Sequence, residues 1–325
     1  VNYTEYVSSY INNLLIKLGN ATLQTISNYS SGQVFTLSDF ALDSIYAATT
    51  TQKNVTLDFV LQTYSNNTLI GSNTFSKALV INDSNPTIGS ISYKDINNTT
   101  TAITGNNLYI IRNKSTLQLT VTNLAAKNSA TLSSLSVTGG GVSQTRSLSG
   151  TTDASEVLNL GTINQSSNFT LTVTLTDSRG YTISKTLNIL VYDYNLPTAT
   201  ISALRVDNYY TTTNVTVNAN YASIGGHNTL TITAQYKKTT ESSYGATVTL
   251  TNGQATALSL DNNYEWNLKI TVADALGSTI YNLIVGRGLP IWFVDRLLNS
   301  VGINCFPLQN DSLEVNGLRL DDKIY

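Results

Sequence analysis

Apolar and polar residues alternate along most of this chain, and this pattern predicts β-strands. The segments Phe169–Val191 and Trp266–Val285 carry an apolar residue at nearly every second position, and a weaker copy spans Val55–Ile81. Successive side chains of a strand point to opposite faces, so such alternation places one face against a core. Thr, Val and Ile are frequent, as in half-buried strands. The residues expected on the inward faces are Val55, Leu57, Phe59 and Leu61, then Phe169, Leu171, Val173 and Leu175, and then Trp266, Leu268, Ile270 and Val272.

A turn signal interrupts each copy at its middle. Asp177–Gly180 and Asp274–Gly277 have the form Asp-x-x-Gly, and Asn66-Asn67 stands at the matching point of the first copy. Asp, Asn and Gly tolerate the left-handed backbone of tight turns. Each copy is therefore predicted to be a β-hairpin, in which Asp177 and Asp274 are turn-forming residues.

Prolines mark the ends of the copies and predict the domain boundaries. Pro86, Pro197 and Pro290 each follow the last predicted strand of the preceding copy, where proline cannot extend a ladder. The spacing of about 100 residues suits a small antiparallel sandwich. The fold class expected is all-β, with tandem Ig-like or fibronectin-III-like sandwiches. The predicted modules are 1–84, 85–195 and 196–289, followed by a short β-rich segment, 290–325.

The N-terminal region allows two interpretations. The apolar residues between Val7 and Leu18 have helical spacing, with Gly19 as the C-terminal cap. Alternatively, the region forms a hairpin that turns at Gly19-Asn20. The hairpin is preferred because the rest of this module continues as strands. Leu37–Ala47 is predicted to be a short helix with Ser38 as its N-cap.

Composition restricts the classes of partner. Hydrophobic residues make up 41% of the chain, enough for packed cores, whereas charged residues make up only 12%, about half the typical share. The net charge is -2, so no basic surface for nucleic acid is expected. The sequence contains no apolar run of about 18 residues, so insertion into a membrane is not expected. The single cysteine, Cys305, excludes an internal disulfide.

No pattern of residues indicates catalysis, a metal ion or a cofactor. The only histidine, His227, follows two glycines and is expected in a loop, without the neighbours of a catalytic triad. Asp321-Asp322 lacks the glycine-turned loop of calcium sites. The glycine-rich segment Thr138–Ser143 lacks the Lys-Ser/Thr step of a phosphate-binding loop and is expected to be a flexible loop. The chain is therefore expected not to be an enzyme, with no catalytic, cofactor-binding or metal residues and no cofactor.

Two apolar or aromatic stretches are candidate contact sites. The adjacent Tyr209 and Tyr210 suit an exposed contact with a glycan or a protein partner, because a tyrosine ring joins an apolar face to a polar hydroxyl. The continuous run Ile291, Trp292, Phe293 and Val294 would be exposed on an isolated chain and is a candidate assembly contact. Ser312–Tyr325 follows it as an expected hairpin that turns at Asn316-Gly317.

The order of these motifs resembles the minor structural proteins of siphophages that infect Gram-positive bacteria. The hairpin LTVTLTDSRGYTISKT, the step GRGLPIWFVD and the segments SVGINCFP and SLEVNG all resemble that family. The early segments VFTLSDFALDSI and TYSNNTLIGS resemble its preceding module. The resemblance covers most of the chain.

The resemblance implies a component of the virion tail or tail tip that contributes to host-surface adhesion or carries a receptor-binding module. The expected partners are other tail proteins, a host cell-wall polysaccharide or teichoic acid, and further copies of the chain, with a trimer favoured. The expected localisation is the virion, and extracellular when acting. Two other functions stay open: a bacterial cell-surface adhesin of tandem Ig-like modules, and a carbohydrate-active enzyme.

Overall fold

The computed structural model describes residues 1–4, 7–82, 84–288, 292–303, 309, 311 and 313–315. The chain divides into two compact units, Val1–Tyr192 and Asp193–Tyr325. Antiparallel sheets dominate both units, and packed pairs of sheets form β-sandwiches. The predicted all-β fold class is confirmed.

The N-terminal part of the first unit is a four-stranded antiparallel sheet in the order β2-β1-β3-β4. The preferred hairpin is confirmed, because β1 pairs with β2 across Gly19, whose φ is +54°. Asn66 and Asn67 have φ values of 47° and 64° and form the turn predicted between the next two strands. The strands are β1 (Ile11–Leu18), β2 (Ala21–Ile26), β3 (Asn54–Ser65) and β4 (Thr68–Val80).

The predicted short helix is confirmed as α1 (Asp39–Ala48). The side chain of Ser38 accepts a hydrogen bond from the backbone N–H of Ala41 at 3.3 Å and caps the first turn. Ala41 and Ile45 are buried and pack against apolar side chains of the sheet.

The expectation of a two-sheet sandwich for 1–84 differs from the structure. In the part of this segment that the structure describes, the strands form one sheet, and α1 takes the place of a second sheet over one face. Most of β4 is exposed on both of its faces. The sequence between β2 and β3 is long enough for a helix, and its apolar period is helical rather than alternating.

The rest of the first unit is a sandwich of a three-stranded sheet, β10-β7-β5, and a five-stranded sheet, β6-β12-β11-β8-β9. Its core lies between the inward faces of β7 and β11, where Leu117, Leu119, Leu171, Val173 and Leu175 are fully buried. The elements are β5 (Ser90–Asp95), α2 (Asn98–Thr104), β6 (Tyr109–Ile111), β7 (Thr116–Ala125), β8 (Leu132–Gly139), β9 (Val142–Ser147), β10 (Asp153–Thr162), β11 (Phe169–Asp177) and β12 (Thr182–Tyr192).

The second unit contains another sandwich, with sheets β13-β14-β17 and β16-β15-β18-β19. Leu268, Ile270 and Val272 are fully buried as predicted. Trp266 packs against this core but stays partly exposed, and its indole Nε1 donates to the carbonyl of Asp261 at 2.9 Å. The strands are β13 (Thr198–Arg205), β14 (Thr212–Asn220), β15 (Thr231–Lys238), β16 (Val248–Leu250), β17 (Ala255–Ser259), β18 (Trp266–Asp274) and β19 (Gly277–Val285).

A small sheet in the order β20-β21-β22 follows in the second unit. β21 pairs antiparallel with β20 and parallel with β22. The predicted turn at Asn316-Gly317 lies outside the described residues. The strands are β20 (Trp292–Asp295), β21 (Ser300–Ile303) and β22 (Leu313–Val315).

The two Asp-x-x-Gly hairpins are confirmed. β11 pairs with β12, and β18 pairs with β19. Oδ1 of Asp177 accepts hydrogen bonds from the backbone N–H groups of Arg179 and Tyr181 at 3.0 and 2.8 Å. Oδ1 of Asp274 accepts from Leu276 and Gly277 at 2.8 and 2.9 Å. Each aspartate therefore holds its own turn closed.

Arg179, at the tip of the first of these hairpins, ties the sandwich of the first unit to α1. Its side chain is only 5% exposed. It binds two carbonyls at the C-terminal end of α1, a serine hydroxyl, and two carbonyls of the turn between β7 and β8. A cation at this end of a helix satisfies carbonyls that lack partners within the helix. The acceptors are Tyr46 O (3.2 Å), Thr49 O (2.6 Å), Ser84 Oγ (3.1 Å), Lys127 O (3.1 Å) and Asn128 O (2.5 Å).

Neighbouring residues of the same hairpin extend this junction. Ser178 Oγ donates to Thr50 O at 2.5 Å, and the hydroxyl of Tyr181 donates to Ile81 O. Lys53 Nζ donates to Gly180 O at 3.1 Å and lies 4.5 Å from the centre of the Tyr181 ring. Burial lowers the pKa of Arg179, and the nearby Asp177 carboxylate opposes this shift.

Substituting Arg179→Met is expected to lower the free energy of unfolding of the first unit by about 3 kcal/mol, because five acceptors, two of them in buried hydrogen bonds, lose their donor together. Arg179→Lys should lose about 2 kcal/mol, since one ammonium group cannot reproduce the planar fork of donors. Urea unfolding of the full chain, followed by circular dichroism, measures both losses.

Arg146→Lys is the matched control for these variants. The side chain of Arg146 is 62% exposed and pairs with Glu156 at 3.5 Å, so this exchange should change stability by less than about 0.5 kcal/mol. If Arg179→Lys unfolds at the same urea concentration as Arg146→Lys, the junction does not depend on the guanidinium.

Candidate partner-contact site

One end of the sandwich in the second unit is organised by a second buried arginine. Arg205 is the last residue of β13 and lies on the inward-facing phase of that strand, after Ala199, Ile201 and Ala203. An arginine at such a position needs hydrogen-bond acceptors, because burying its charge without them is costly. Burial lowers the pKa of Arg205, and the nearby Asp261 carboxylate opposes the shift.

The Arg205 guanidinium donates hydrogen bonds to five backbone carbonyls. They belong to the loop after β13, the loop between β17 and β18, and the end of β19, so one side chain joins three chain segments. The acceptors are Tyr210 O (3.0 Å), Leu260 O (2.7 Å), Asp261 O (3.4 Å), Tyr264 O (3.4 Å) and Gly286 O (2.9 Å).

Tyr209 and Tyr210 lie together in the loop after β13. Asp207 and Asn208 turn the chain with φ values of 51° and 67°, and the backbone N–H groups of both tyrosines then donate to Val206 O. The ring centroids are 4.7 Å apart, with an angle of 34° between the planes. The loop is fixed further by Asn262, whose Nδ2 donates to Tyr209 O at 3.0 Å. The predicted pair is therefore a preformed feature.

The loop between β17 and β18 adds a third tyrosine. Tyr264 is 41% exposed, and Tyr210 is 48% exposed. Lys238 Nζ lies 3.7 Å from the centre of the Tyr264 ring and 5.9 Å from that of Trp266, in cation–π geometry. We call Tyr209, Tyr210, Tyr264 and Lys238 the aromatic platform.

The chemistry of the aromatic platform is that of a contact surface. Its tyrosines offer flat apolar faces and hydroxyl groups, and Lys238 adds one positive charge. The pKa of Tyr209 is raised, mainly by a hydrogen bond with the Tyr210 side chain and to a smaller extent by desolvation. The Tyr209 hydroxyl therefore stays neutral. The platform can stack on a ring and exchange hydrogen bonds.

Sequence reasoning identified two members of this platform and missed the others. Tyr264 and Lys238 come from separate loops and strands, so their approach to the Arg205 loop depends on tertiary structure. A signal for Arg205 was nevertheless present, because Arg205 continues the alternation of Ala199, Ile201 and Ala203 at every second position.

The second candidate contact lies on β20. Trp292 and Val294 are two positions apart on this strand and are 70% and 58% exposed. Phe293 lies between them, and its backbone pairs with Gly302. Ile291 lies outside the described residues. Leu297 and Leu313 are also exposed, so the described part of this small sheet presents a substantial apolar surface.

His227 is exposed at the end of a short 3-10 turn, as predicted for a loop residue.

Among the residues that the structure describes, no three His, Cys, Asp or Glu side chains come together as metal ligands. Asp321-Asp322 lies outside these residues. No helix within the described ranges is long and apolar enough to span a membrane.

Comparison with solved structures gives distant likenesses. The dimeric latent PorU of Porphyromonas gingivalis matches 86% of this chain and 29% of its own, at 9% identity and a TM-score of 0.24. The FN1–FN3 domains of chicken CNTN1 match 71% of this chain and 78% of their own, at 11% identity and a TM-score of 0.24. This chain thus spans less than a third of the length of PorU.

The search of curated proteins found no match to the sequence. A family model described as siphovirus protein of unknown function (DUF859) matches residues 1–277, which include the first unit and the second sandwich up to the first residue of β19. The chain therefore belongs to this family of siphovirus proteins.

Proposed function

We propose that the chain is a structural protein of the phage tail or tail tip that contributes to host-surface adhesion or carries the receptor-binding module. Its membership of a siphovirus family supports a role in a phage particle. The observation that carries the adhesive role is the aromatic platform, in which exposed tyrosines lie on loops fixed by Arg205.

A preformed platform favours binding because little conformational entropy is lost when a partner arrives. Five carbonyls around Arg205 fix the loops before contact, and aromatic faces then bury area with few rotatable bonds. The proposed ligand is a cell-wall polysaccharide or teichoic acid of a Gram-positive host. Tyrosine faces suit the sugar rings, and Lys238 suits a phosphate of teichoic acid.

The structural role is supported by the junction around Arg179. A largely buried charged side chain that donates to five acceptors from three chain segments resists local opening, as a structural component requires. The proposed partners in the particle are other tail proteins and further copies of this chain. The exposed apolar residues of β20 are the proposed contact between copies, in a trimer.

Gold-labelled antibodies against the purified chain are expected to decorate the tail or its tip in electron micrographs of phage particles. The physical reason is that an adhesive component must be accessible at the surface that meets the host. Antibodies against a major capsid protein serve as the control. Labelling confined to heads, or found only in lysate without particles, would contradict the tail assignment.

The double variant Tyr209→Ala and Tyr210→Ala should weaken saturable binding of the labelled full chain to host cells by about tenfold, because two stacking faces are removed. Tyr221→Ala is the matched control, since Tyr221 is an exposed tyrosine of the same unit outside the platform. Equal binding by the double variant and the control would remove the platform from the adhesive role.

The double variant Trp292→Ser and Val294→Ser should shift the chain from trimer to monomer in light-scattering mass measurements, because the apolar area that drives association is lost. Val34→Ser changes another exposed valine, 92% exposed on the N-terminal module, and should leave the mass unchanged. A monomeric parent chain, or trimers that persist in the double variant, would refute this contact.

A further inference from the structure

We propose that a cleft in the sandwich of the first unit binds an uncharged saccharide segment. The cleft has a volume of about 680 Å³, within the range of about 300–1,000 Å³ that small-molecule sites occupy. It lies in a different unit from the aromatic platform, so it is a separate site and does not rest on the adhesive role proposed above.

The cleft opens between the edge strands of two different sheets. β9 is the edge of the five-stranded sheet, and β10 is the edge of the three-stranded sheet. Arg146 on β9 and Glu156 on β10 form an ion pair of 3.5 Å that bridges the two edges. Beyond this bridge, the start of β9 and the end of β10 line the cleft.

Glycines shape the first wall, where the sequence predicted only a flexible loop. Thr138–Ser143 instead forms a tight turn between β8 and β9, with Gly140 and Gly141 at φ values of 56° and 79°. A Cβ on Gly139 would lie 2.2 Å from Thr170 O, and one on Gly140 would lie 2.2 Å from the Phe169 ring. Only glycine lets this turn lie flat on the start of β11.

A β-bulge shapes the opposite wall. The pairing of β10 with β7 shifts register between Asn159 and Gly161. Gly161 has a φ of 77°, and its N–H donates to Oδ1 of Asn159 at 2.9 Å. Bulges redirect side chains and are frequent beside binding sites. Both walls therefore depend on backbone conformations that are unusual for strands.

The lining is polar but carries no charged residue. Amide, hydroxyl and glycine-backbone groups dominate it, while Val142 and Leu160 pack against the core and supply a small apolar floor. Arg112 approaches the rim, where its Nε donates to Oδ1 of Asn164 at 2.9 Å. The polar residues that line the cleft are Ser143, Gln144, Asn159, Thr162, Asn164 and Gln165.

This chemistry fits a neutral saccharide better than other ligand classes. Amides can donate and accept, as sugar hydroxyls and acetamido groups require. An anionic ligand would lose its hydration without gaining a cationic partner from the lining, since the cation that lies at the rim, Arg112, already donates to Asn164. A mainly apolar ligand would cover the amides and leave them without partners.

The test uses the full chain with three probes: the tetramer of N-acetylglucosamine, the tetramer of α-1,4-linked glucose, and the trimer of galacturonic acid as an anionic comparison. Saturation-transfer NMR measures binding at millimolar probe. We expect at least one neutral probe to bind saturably and the anionic trimer not to bind.

Gln144→Trp places a large ring in the cleft, because Gln144 pairs with the buried Val137 and therefore lies on the inward phase of β9. This change should weaken binding of the neutral probe at least tenfold. Ser147→Trp, on the exposed end of β9 away from the cleft, is the matched control and should bind as the parent does. Binding should also survive Tyr209→Ala and Tyr210→Ala, which separates this site from the platform. No binding of either neutral probe, equal binding of the anionic trimer, or binding that survives Gln144→Trp would overturn the proposal.

Discussion

A buried guanidinium bound only to neutral acceptors is the interaction on which the arrangement of loops depends in both units. Arg179 and Arg205 each donate to five oxygens, and none of these belongs to a carboxylate. Backbone carbonyls in loops lack the ladder partners that strands supply, and each unpaired buried carbonyl is costly. One arginine satisfies several at once, because its planar group presents five donors in fixed directions.

The two arginines solve different versions of the same problem. Arg179 reaches from the tip of a hairpin to the C-terminal carbonyls of α1, whose own last turn carries no basic residue. Arg205 closes the end of a single sandwich, where three segments of chain converge. At the position that corresponds to Arg179, the second hairpin has Leu276, whose side chain cannot form such hydrogen bonds. The tertiary contact of this hairpin is made by Asp274, whose Oδ1 accepts a hydrogen bond from the hydroxyl of Tyr194 at 3.2 Å. Equivalent turns thus serve different contacts.

Alternation predicted the strands and turns because local sequence determines both features. The paired hairpins after β3, β11 and β18 follow from Asn66-Asn67, Asp177 and Asp274, whose side chains act within a few residues. The single sheet of the N-terminal module could not be predicted in this way. Its second layer is α1, and the number of layers depends on which segments meet in space rather than on their period.

The sites show the same division between local and long-range information. Tyr209 and Tyr210 are adjacent in sequence, so their place together in a loop was predictable, whereas Tyr264 joins them only through the Arg205 carbonyl network. The cleft between β9 and β10 was missed because its walls are a glycine turn and a bulge. TGGGVS suggested a flexible loop, but the carbonyl of Thr170 and the ring of Phe169, which make glycine necessary, come from a distant strand.

The scarcity of charge links these features to the proposed functions. With charged residues at 12% of the chain, burying two of the arginines leaves a surface dominated by hydroxyl and amide groups. Such a surface gains little from long-range attraction, so recognition must come from fitted short-range contacts. Fitted contacts require loops that hold their shape before a ligand arrives, and the carbonyl-bound guanidinium of Arg205, like the glycine turn beside Phe169, provides that rigidity without adding charge to the surface.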